Sequence, residues 1–467
     1  MALSHTLSEE LIQRMDRQFL AILDENSLCE SEEGYKHREE LIVFLTDLGN
    51  KWIRECLRQD GIAQDIIYSA QCLFIPYGSY AIGVCSPSSD LDIACVVPGV
   101  ITESLFFSQF YSRLKEQSRI TRVVAVTNAF VPIISIILDG ISIDIPLVIL
   151  PSYPYSVPTD IDIMDVHLYE SMSPQSLRSL HGCCTAVALR KLVPDMQLFR
   201  QSVHLLKFFC KKRGIYKTKF GFLGGSNLAM LMTAVMRKHP HFGLTQLLLA
   251  FFDQFAQYDW SIPVTLVPTE RHPEMECDQM VWEGNHSRET PVVILTPCFP
   301  ASNASRNVTF SARQLIATEL NRGLLVLQSA LRGETEIEEI FTRVDFASSF
   351  SYFIEVTMES VSATQLAEWT GWCESKLRVL TSFIESRTPL RAIVGDVGLS
   401  GRLTATRFVG MTLASVTTEP IVLSPAMNAF VDILRYKQEK DDVVSFRILC
   451  RREMEELAAK QTLKVVV

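Results

Sequence analysis

The stretch YGSYAIGVCSPSSDLDIACVV, residues 77–97, decides the fold. Asp90 and Asp92 stand one residue apart, just before an apolar run. Alternate side chains of a strand share a face, so both carboxylates are expected to point one way, with Leu91 and Ile93 turned into a core. Two carboxylates this close repel, and neither ionises cheaply unless a cation lies between them. Gly78 and Ser79 come shortly before Asp90. Glycine lets a backbone approach a phosphate closely, serine adds a hydroxyl, and the N–H groups of a following helix suit an anion.

Working outward, the run VPIISIILDGISIDIPLVIL reads as two strands, Val131–Leu138 and Ile141–Leu150, joined by a turn at Asp139-Gly140. Ile141, Ile143 and Ile145 share one face and Asp144 lies on the other. A lone acid in an apolar strand is costly without a partner. If this strand neighbours the first, Asp90, Asp92 and Asp144 surround one or two divalent ions, and hard cations such as Mg2+ or Mn2+ prefer oxygen ligands of this kind. A two-metal clamp facing a triphosphate is an arrangement for nucleotidyl transfer.

A second cluster lies in KFFCKKRGIYKTKFGFLGG, residues 207–225. Lys207 and Lys211 are four apart and share a helix face. Lys207 emerges from an apolar helix, between Leu205-Leu206 and Phe208-Phe209, and is suited to reach a triphosphate. Lys212 and Arg213 fit equally a solvated cationic helix end that complements the helix dipole. Tyr216 could stack or hydrogen-bond near a base, and Gly224-Gly225 should open another helix that admits a close nucleotide.

The whole chain bounds these readings. It has 467 residues, 48% of them hydrophobic, which excludes a disordered chain and implies about two to four domains. Lys plus Arg is 44 and Asp plus Glu is 53, a net charge of −9, so any nucleic-acid contact needs a local basic patch. Twelve cysteines without a C-x-x-C pair, Cys183-Cys184 being vicinal, read as reduced buried thiols rather than zinc ligands or disulfides. The amino-terminal segment has no apolar leader, and no stretch is long and apolar enough for a bilayer, so no membrane partner is expected. The sequons at Asn285, Asn303 and Asn307 read as chance matches. Thr6 with Glu9 predicts a capped first helix to about Leu23, and Leu41 to Leu57 predicts a second. His239 and His241 read as a helix-ending turn, and Trp369 and Trp372 as core.

The hydrophobic-G-S…D-x-D pattern with a downstream acid resembles the polymerase-β-like nucleotidyltransferase superfamily. In combination with LHGCCTAVALRKLVPDMQLFRQSVHLLKFFCKKRGIYKTKFGFLGG, ILTPCFPASNASRNVTFSARQ and FSYFIEVTMESVSATQLAEWTGWCESKLRVL, it resembles eukaryotic poly(A) polymerase of the nuclear mRNA 3′-end-processing type, over about residues 5 to 438. The resemblance implies a multidomain α/β plus α+β chain. A nucleotidyltransferase palm with a mixed sheet would span 37–151. A helical middle domain would take 1–36 and 152–334, an RRM-like RNA-binding domain 335–440, and 441–467 would be a tail. It also implies roles: metal binding and catalysis for Asp90, Asp92 and Asp144; triphosphate contacts for Gly78, Ser79, Lys207 and Lys211; an adenosine pocket with Tyr216 and Gly225; and Thr296 near the base. Four positions depart from the family: Tyr77 stands where Phe is usual, Ser226 where Val packs on the base, His181 where an Asn reaches ribose or RNA, and Phe299 where Tyr is usual.

The reaction so implied is template-independent addition of AMP from ATP to an RNA 3′-hydroxyl with two Mg2+ or Mn2+ ions, releasing pyrophosphate. It would act in the nucleus as a monomer, with cleavage and polyadenylation proteins as partners. Two other readings share the core: a non-nuclear terminal transferase adding uridylate or mixed nucleotides, and an inactive RNA-binding scaffold. From Phe341 onward there are 15 Lys/Arg and 15 Asp/Glu, so the C-terminal region binds RNA weakly unless its basic residues cluster.

Overall fold

A computed structural model describes residues 9–284, 290–415, 417–460 and 463–465. Thr6 and Asn285 lie outside the described residues.

The first sheet holds β1 (Leu73–Pro76), β2 (Leu91–Pro98), β3 (Ile120–Val126), β4 (Ile133–Leu138) and β5 (Ile141–Leu150), in the order β1-β2-β5-β4-β3. Only β2 and β5 run parallel; the other pairs are antiparallel. The β4–β5 hairpin forms as the sequence predicts. Asp139 and Gly140 both take positive φ, and a two-residue turn of this kind matches the strand twist.

A parallel pair is normally covered on both faces, and the alternation shows how. Leu91, Ile93, Cys95 and Val97 share a core with Leu41, Leu45 and Trp52 of the Glu32–Gln59 helix. Ala94 and Val96 share the opposite core with Leu177, Leu180 and Cys184 of the Pro174–Leu192 helix. Asp92 and Asp144 belong to this second face by parity. The acids thus look toward the helical part of the chain. One expectation needs correction: β2 begins at Leu91, so Asp90 precedes the strand instead of sharing its pleat.

The largest core joins the Glu9–Glu25 helix, through Met15, Phe19 and Ile22, to the helices Met196–Lys212, Gly225–Lys238, Leu244–Ala256 and Phe310–Leu331. Gly224 caps the Gly225–Lys238 helix, as the sequence implies.

The second sheet is entirely antiparallel: β6 (Tyr352–Glu359), β7 (Leu390–Ser400), β8 (Thr404–Leu413), β9 (Val443–Cys450) and β10 (Lys464–Val465), ordered β10-β7-β8-β6-β9. With the helices Ala363–Arg387 and Ser424–Leu434 it makes a βαββαβ unit of RRM-like order. β9 pairs with β6 along its whole length. Residues 443–450 are therefore part of this sheet, and treating 441–467 as a separate tail is corrected. Among the described residues every cysteine is unpaired, and no helix is long and apolar enough to cross a membrane. His239 caps its helix and stacks on Phe242 at 4.5 Å, as the turn reading expects.

Candidate active site

The third acid arrives by strand register. Asp92 of β2 lies directly beside Asp144 of β5, and Ser135 of β4 sits on Asp144's other side. Burial, then the charges of Asp90 and Asp144, push the Asp92 carboxyl up to about 8. Asp144 is also raised, first by burial and further by Asp90, while the Ser135 hydroxyl opposes the shift by hydrogen bonding to it. Asp90 is exposed and stands just outside the strand.

Gly78 is placed by necessity. It has φ +60°, and a Cβ there would run into the Asp92 carboxylate. Glycine alone takes up that backbone without strain. The strand and the G-S turn are also tied together, since the Tyr77 N–H donates to the Asp92 carbonyl at 2.9 Å. Gly78 and Ser79 open a one-turn helix, Gly78–Ala81, and the Ser79 carbonyl accepts from the Val84 N–H at 2.8 Å. The Tyr77 ring packs on Gly182 of the Pro174–Leu192 helix.

The cations come from the facing helical part. Lys207 is 7% exposed, and its Nζ donates to the Val84 carbonyl at 2.8 Å, beside the Gly-Ser turn. Burial, then the Lys211 charge, lower Lys207 to about 8, while Asp90 pulls the other way. Lys211 is lowered by burial and likewise opposed by Asp90. Its Nζ lies 5.6 Å from the centre of the Tyr216 ring. A Cβ on Gly225 would meet the Tyr216 hydroxyl at 3.2 Å and Lys207 Cε at 3.9 Å, so these three residues share one corner. Ser226 is exposed at the start of the same helix. The Asp90 charge acts on Tyr77, Asp92, Asp144, Lys207, Lys211 and Tyr216. Acids, lysines and tyrosines from three stretches of sequence therefore form one electrostatic unit.

Other predicted residues stand apart. Thr296 accepts from the Ser302 N–H at 3.0 Å and lies 3.3 Å from His181 Nε2. His181 Nε2 also lies 2.9 Å from the Pro300 carbonyl, and burial lowers its pKa, so the ring is neutral and donates there. Thr296 lines a cavity of about 100 Å3 with Tyr169, Leu266 and Phe299, and none of the three acids lines it. Arg213 is spent on Glu319 at 2.7 Å, and Lys219 on Glu374 at 2.7 Å, so they are structural cations.

The sequence reading missed Arg38. It is 1% exposed in the Glu32–Gln59 helix, pairs with Glu30 at 3.0 Å, and donates to the Ser89 carbonyl at 2.8 Å and the Ser86 carbonyl at 3.4 Å. It therefore pins the loop that delivers Asp90. Its spacing was the available signal: Arg38, Leu41, Leu45, Leu48 and Trp52 continue one helical face.

Metal fit can be judged from the donors. Asp90, Asp92 and Asp144 supply hard carboxylate oxygens, and a divalent cation would relieve both the burial and, after it, the neighbouring negative charge that push the Asp92 carboxyl up. Among the described residues no three such side chains are already drawn into a closed metal-holding group. Asp90, exposed and off the strand, is the one free to complete it.

Comparison with known proteins places this geometry in a lineage. Family models match along the chain: poly(A) polymerase nucleotidyltransferase domain over residues 1–193, central domain over 198–343 and predicted RNA binding domain over 345–394. Nuclear poly(A) polymerase 2 of Arabidopsis thaliana is 32% identical over 370 residues, covering 78% of this chain and 46% of that protein. The poly(A) polymerase of Dictyostelium discoideum is 30% identical over 369 residues, covering 79% and 45%. The chain thus spans about half the length of the curated relatives it matches. A solved structure of Cid1, described by its RNA terminal uridylyl transferase activity, matches with TM-score 0.50 at 15% identity, over 72% of this chain and all of that one, a likeness of fold. On three domain models in order along one sequence, the chain belongs to the poly(A) polymerase family.

Proposed function

We propose that the chain is a polynucleotide adenylyltransferase, adding AMP from ATP to the 3′-hydroxyl of RNA without a template and releasing pyrophosphate. One observation carries this reading: Asp92 and Asp144 lie side by side on parallel strands, in the field of Asp90, opposite Lys207 and Lys211. In this reaction the 3′-hydroxyl gives up its proton to solvent, its oxygen bonds to the α-phosphorus, and the bond from that phosphorus to the α,β-bridging oxygen breaks, that oxygen leaving with pyrophosphate. Asp90, Asp92 and Asp144 would hold Mg2+ or Mn2+, which when bound lowers the pKa of the attacking hydroxyl and stabilises the triphosphate charge. Asp144 stands on the attacking side. Gly78 and Ser79 bring backbone against the phosphates, and Lys207 and Lys211 meet the charge that grows on the leaving pyrophosphate. Tyr216, Gly225 and Ser226 line the adenosine side, where shape and stacking must choose the base because no template does. Tyr77 fixes the Gly-Ser turn against the Pro174–Leu192 helix. His181 and Thr296 form the wall behind.

The proposed division is 37–151 for catalysis, 1–36 with 152–334 for the helical domain, and 335 onward for RNA, now including the 443–450 strand. The shared core of the Glu9–Glu25 helix with the middle helices supports it. The relatives' names support residence in the nucleus; cleavage and polyadenylation proteins as partners belong to the same proposal. The test is extension of an oligo(A) primer with each NTP separately, by wild type and Asp144→Ala. ATP-selective extension that vanishes in the variant is expected. Preferred use of UTP overturns the base assignment, and extension by Asp144→Ala overturns the site.

A further inference from the structure

Ser135 is the only polar residue of β4, IISIIL. Ile134, Ile136 and Leu138 turn into the core shared with the Glu32–Gln59 helix. Ser135 therefore stands on the opposite, acid-bearing face, between the partly buried Ile133 and Ile137. Strand register carries the argument further. The Tyr77 N–H donates to the Asp92 carbonyl, Asp92 lies beside Asp144, and Asp144 lies beside Ser135. Tyr77, Asp92, Asp144 and Ser135 thus form one row across the sheet. Directly opposed residues of an antiparallel pair have Cβ atoms about 4.5–5.5 Å apart, within reach of a hydrogen bond from a serine hydroxyl to a carboxylate. The Ser135 hydroxyl makes that bond to Asp144.

The two strand acids are held differently. Asp92 sits against Gly78, whose missing Cβ leaves room for Oδ2, and the side chains acting on its carboxyl are the acids Asp90 and Asp144. Backbone confines it. Asp144 has Asp92 on one side and the Ser135 hydroxyl on the other. A carboxylate offers about four lone-pair sites. Ser135 takes one of them from the β4 side, which restrains rotation of the carboxylate and leaves the others for a cation. Groups that orient a metal ligand in this way commonly change metal affinity by about 10–100-fold. A serine that merely tolerated a half-solvated face would change nothing at the acids when its hydroxyl was removed.

We propose that Ser135 is a positioning residue: its hydroxyl orients Asp144 for the divalent cation on the attacking side, and touches neither substrate nor cation itself. This rests on the reading of Asp90, Asp92 and Asp144 as metal ligands. Asp92 stays in place against Gly78, at the turn assigned to the triphosphate, whether or not the Ser135 hydroxyl is there. Losing that hydroxyl therefore weakens one ion of the two, and lowers kcat without weakening ATP binding.

The test uses the full chain and the variants Ser135→Ala, Ser135→Val and Ser135→Thr, with Asp144→Asn for reference. Valine and threonine have nearly the same shape, and only threonine keeps the hydroxyl. Mn2+ is titrated in the presence of a non-hydrolysable ATP analogue, with free Mn2+ read by electron paramagnetic resonance. Ser135→Ala and Ser135→Val should each bind one of two ions about tenfold more weakly and the other as the wild type does. Ser135→Thr should stay within about threefold of wild type at both. In primer extension below Mn2+ saturation, Ser135→Ala should lose about tenfold in kcat at unchanged KM for ATP, and excess Mn2+ should restore the rate. Urea unfolding confirms that each variant folds. Ser135→Ala with wild-type affinity for both ions overturns the proposal, as does an equal loss at both ions accompanied by a raised KM for ATP. Asp144→Asn separates the two readings. If it loses an ion while Ser135→Ala loses none, this inference alone fails; if it binds both ions as the wild type does, the metal reading fails with it.

Discussion

Replacing Gly78 with alanine separates the backbone requirement of the Gly-Ser turn from its effect on chemistry. Gly78 has φ +60°, and the added methyl would meet Asp92 Oδ2, with Cγ at 3.0 Å and Cβ at 3.4 Å. Alanine in the left-handed region costs about 1–2 kcal/mol. The methyl must also displace the Asp92 carboxylate from its place beside Asp144. Loss of one preorganised electrostatic group at a reacting centre typically costs about 10²–10³ in rate, so ATP-dependent extension should fall at least about 100-fold. Gly140→Ala is the matched control. It has φ +83° in the β4–β5 turn, and a Cβ there meets nothing within 4 Å. It bears the backbone cost alone. Urea unfolding should show a drop for both variants, the larger for Gly78→Ala because it adds the clash with Asp92, and primer extension should drop only for Gly78→Ala. Equal activity losses in both, or Gly78→Ala within about twofold of wild type, would refute the reasoning.

Other consequences follow from the same geometry. Lys207 titrates at about 8 in the folded chain against 10.5 ordinarily, so between these values the unfolded chain holds the extra proton and stability rises with pH, by up to about 3 kcal/mol. Lys207→Met should lack that rise, and wild-type ATP affinity, read by calorimetry, should decline as pH climbs through 8. His204, 4% exposed, is held down to about 4 by burial and by Lys207, so it folds neutral and the unfolded chain takes up the proton first. Stability should therefore fall as pH drops from about 6.5 to about 4, by up to roughly 3 kcal/mol, and His204→Gln should flatten that slope in urea titrations. Arg38→Ala strips a buried pair and leaves Glu30 uncompensated, a loss of about 3–5 kcal/mol, and frees the loop before Asp90. Urea unfolding near wild type would contradict that role.

The site was legible where the pattern is short. An acid in a row of isoleucines has few uses, and D-x-D before an apolar run has few more, so Asp144 beside Asp92 could be anticipated before the sheet was seen. The turn at Asp139-Gly140 was equally local. β7 is hard to read in the sequence because Gly395 and Gly398 inside it mimic loop residues; both admit neighbours, Gly395 the Phe346 ring and Gly398 the Arg407 side chain. β9 was hidden by its half-exposed alternation at a sheet edge, which resembles a solvated tail. Arg38 escapes a reading by residue type because charged residues are rarely fully buried, and only its place on the apolar helix face marks it.

The central claim is that Asp90, Asp92 and Asp144 hold divalent cations together. Titration of Mn2+ into the wild type, Asp92→Asn and Asp144→Asn in the presence of a non-hydrolysable ATP analogue, with free Mn2+ read by electron paramagnetic resonance, tests it most directly. The wild type should bind two ions, and each variant should lose at least one. Equal numbers and affinities of bound ions in all three proteins would contradict the account.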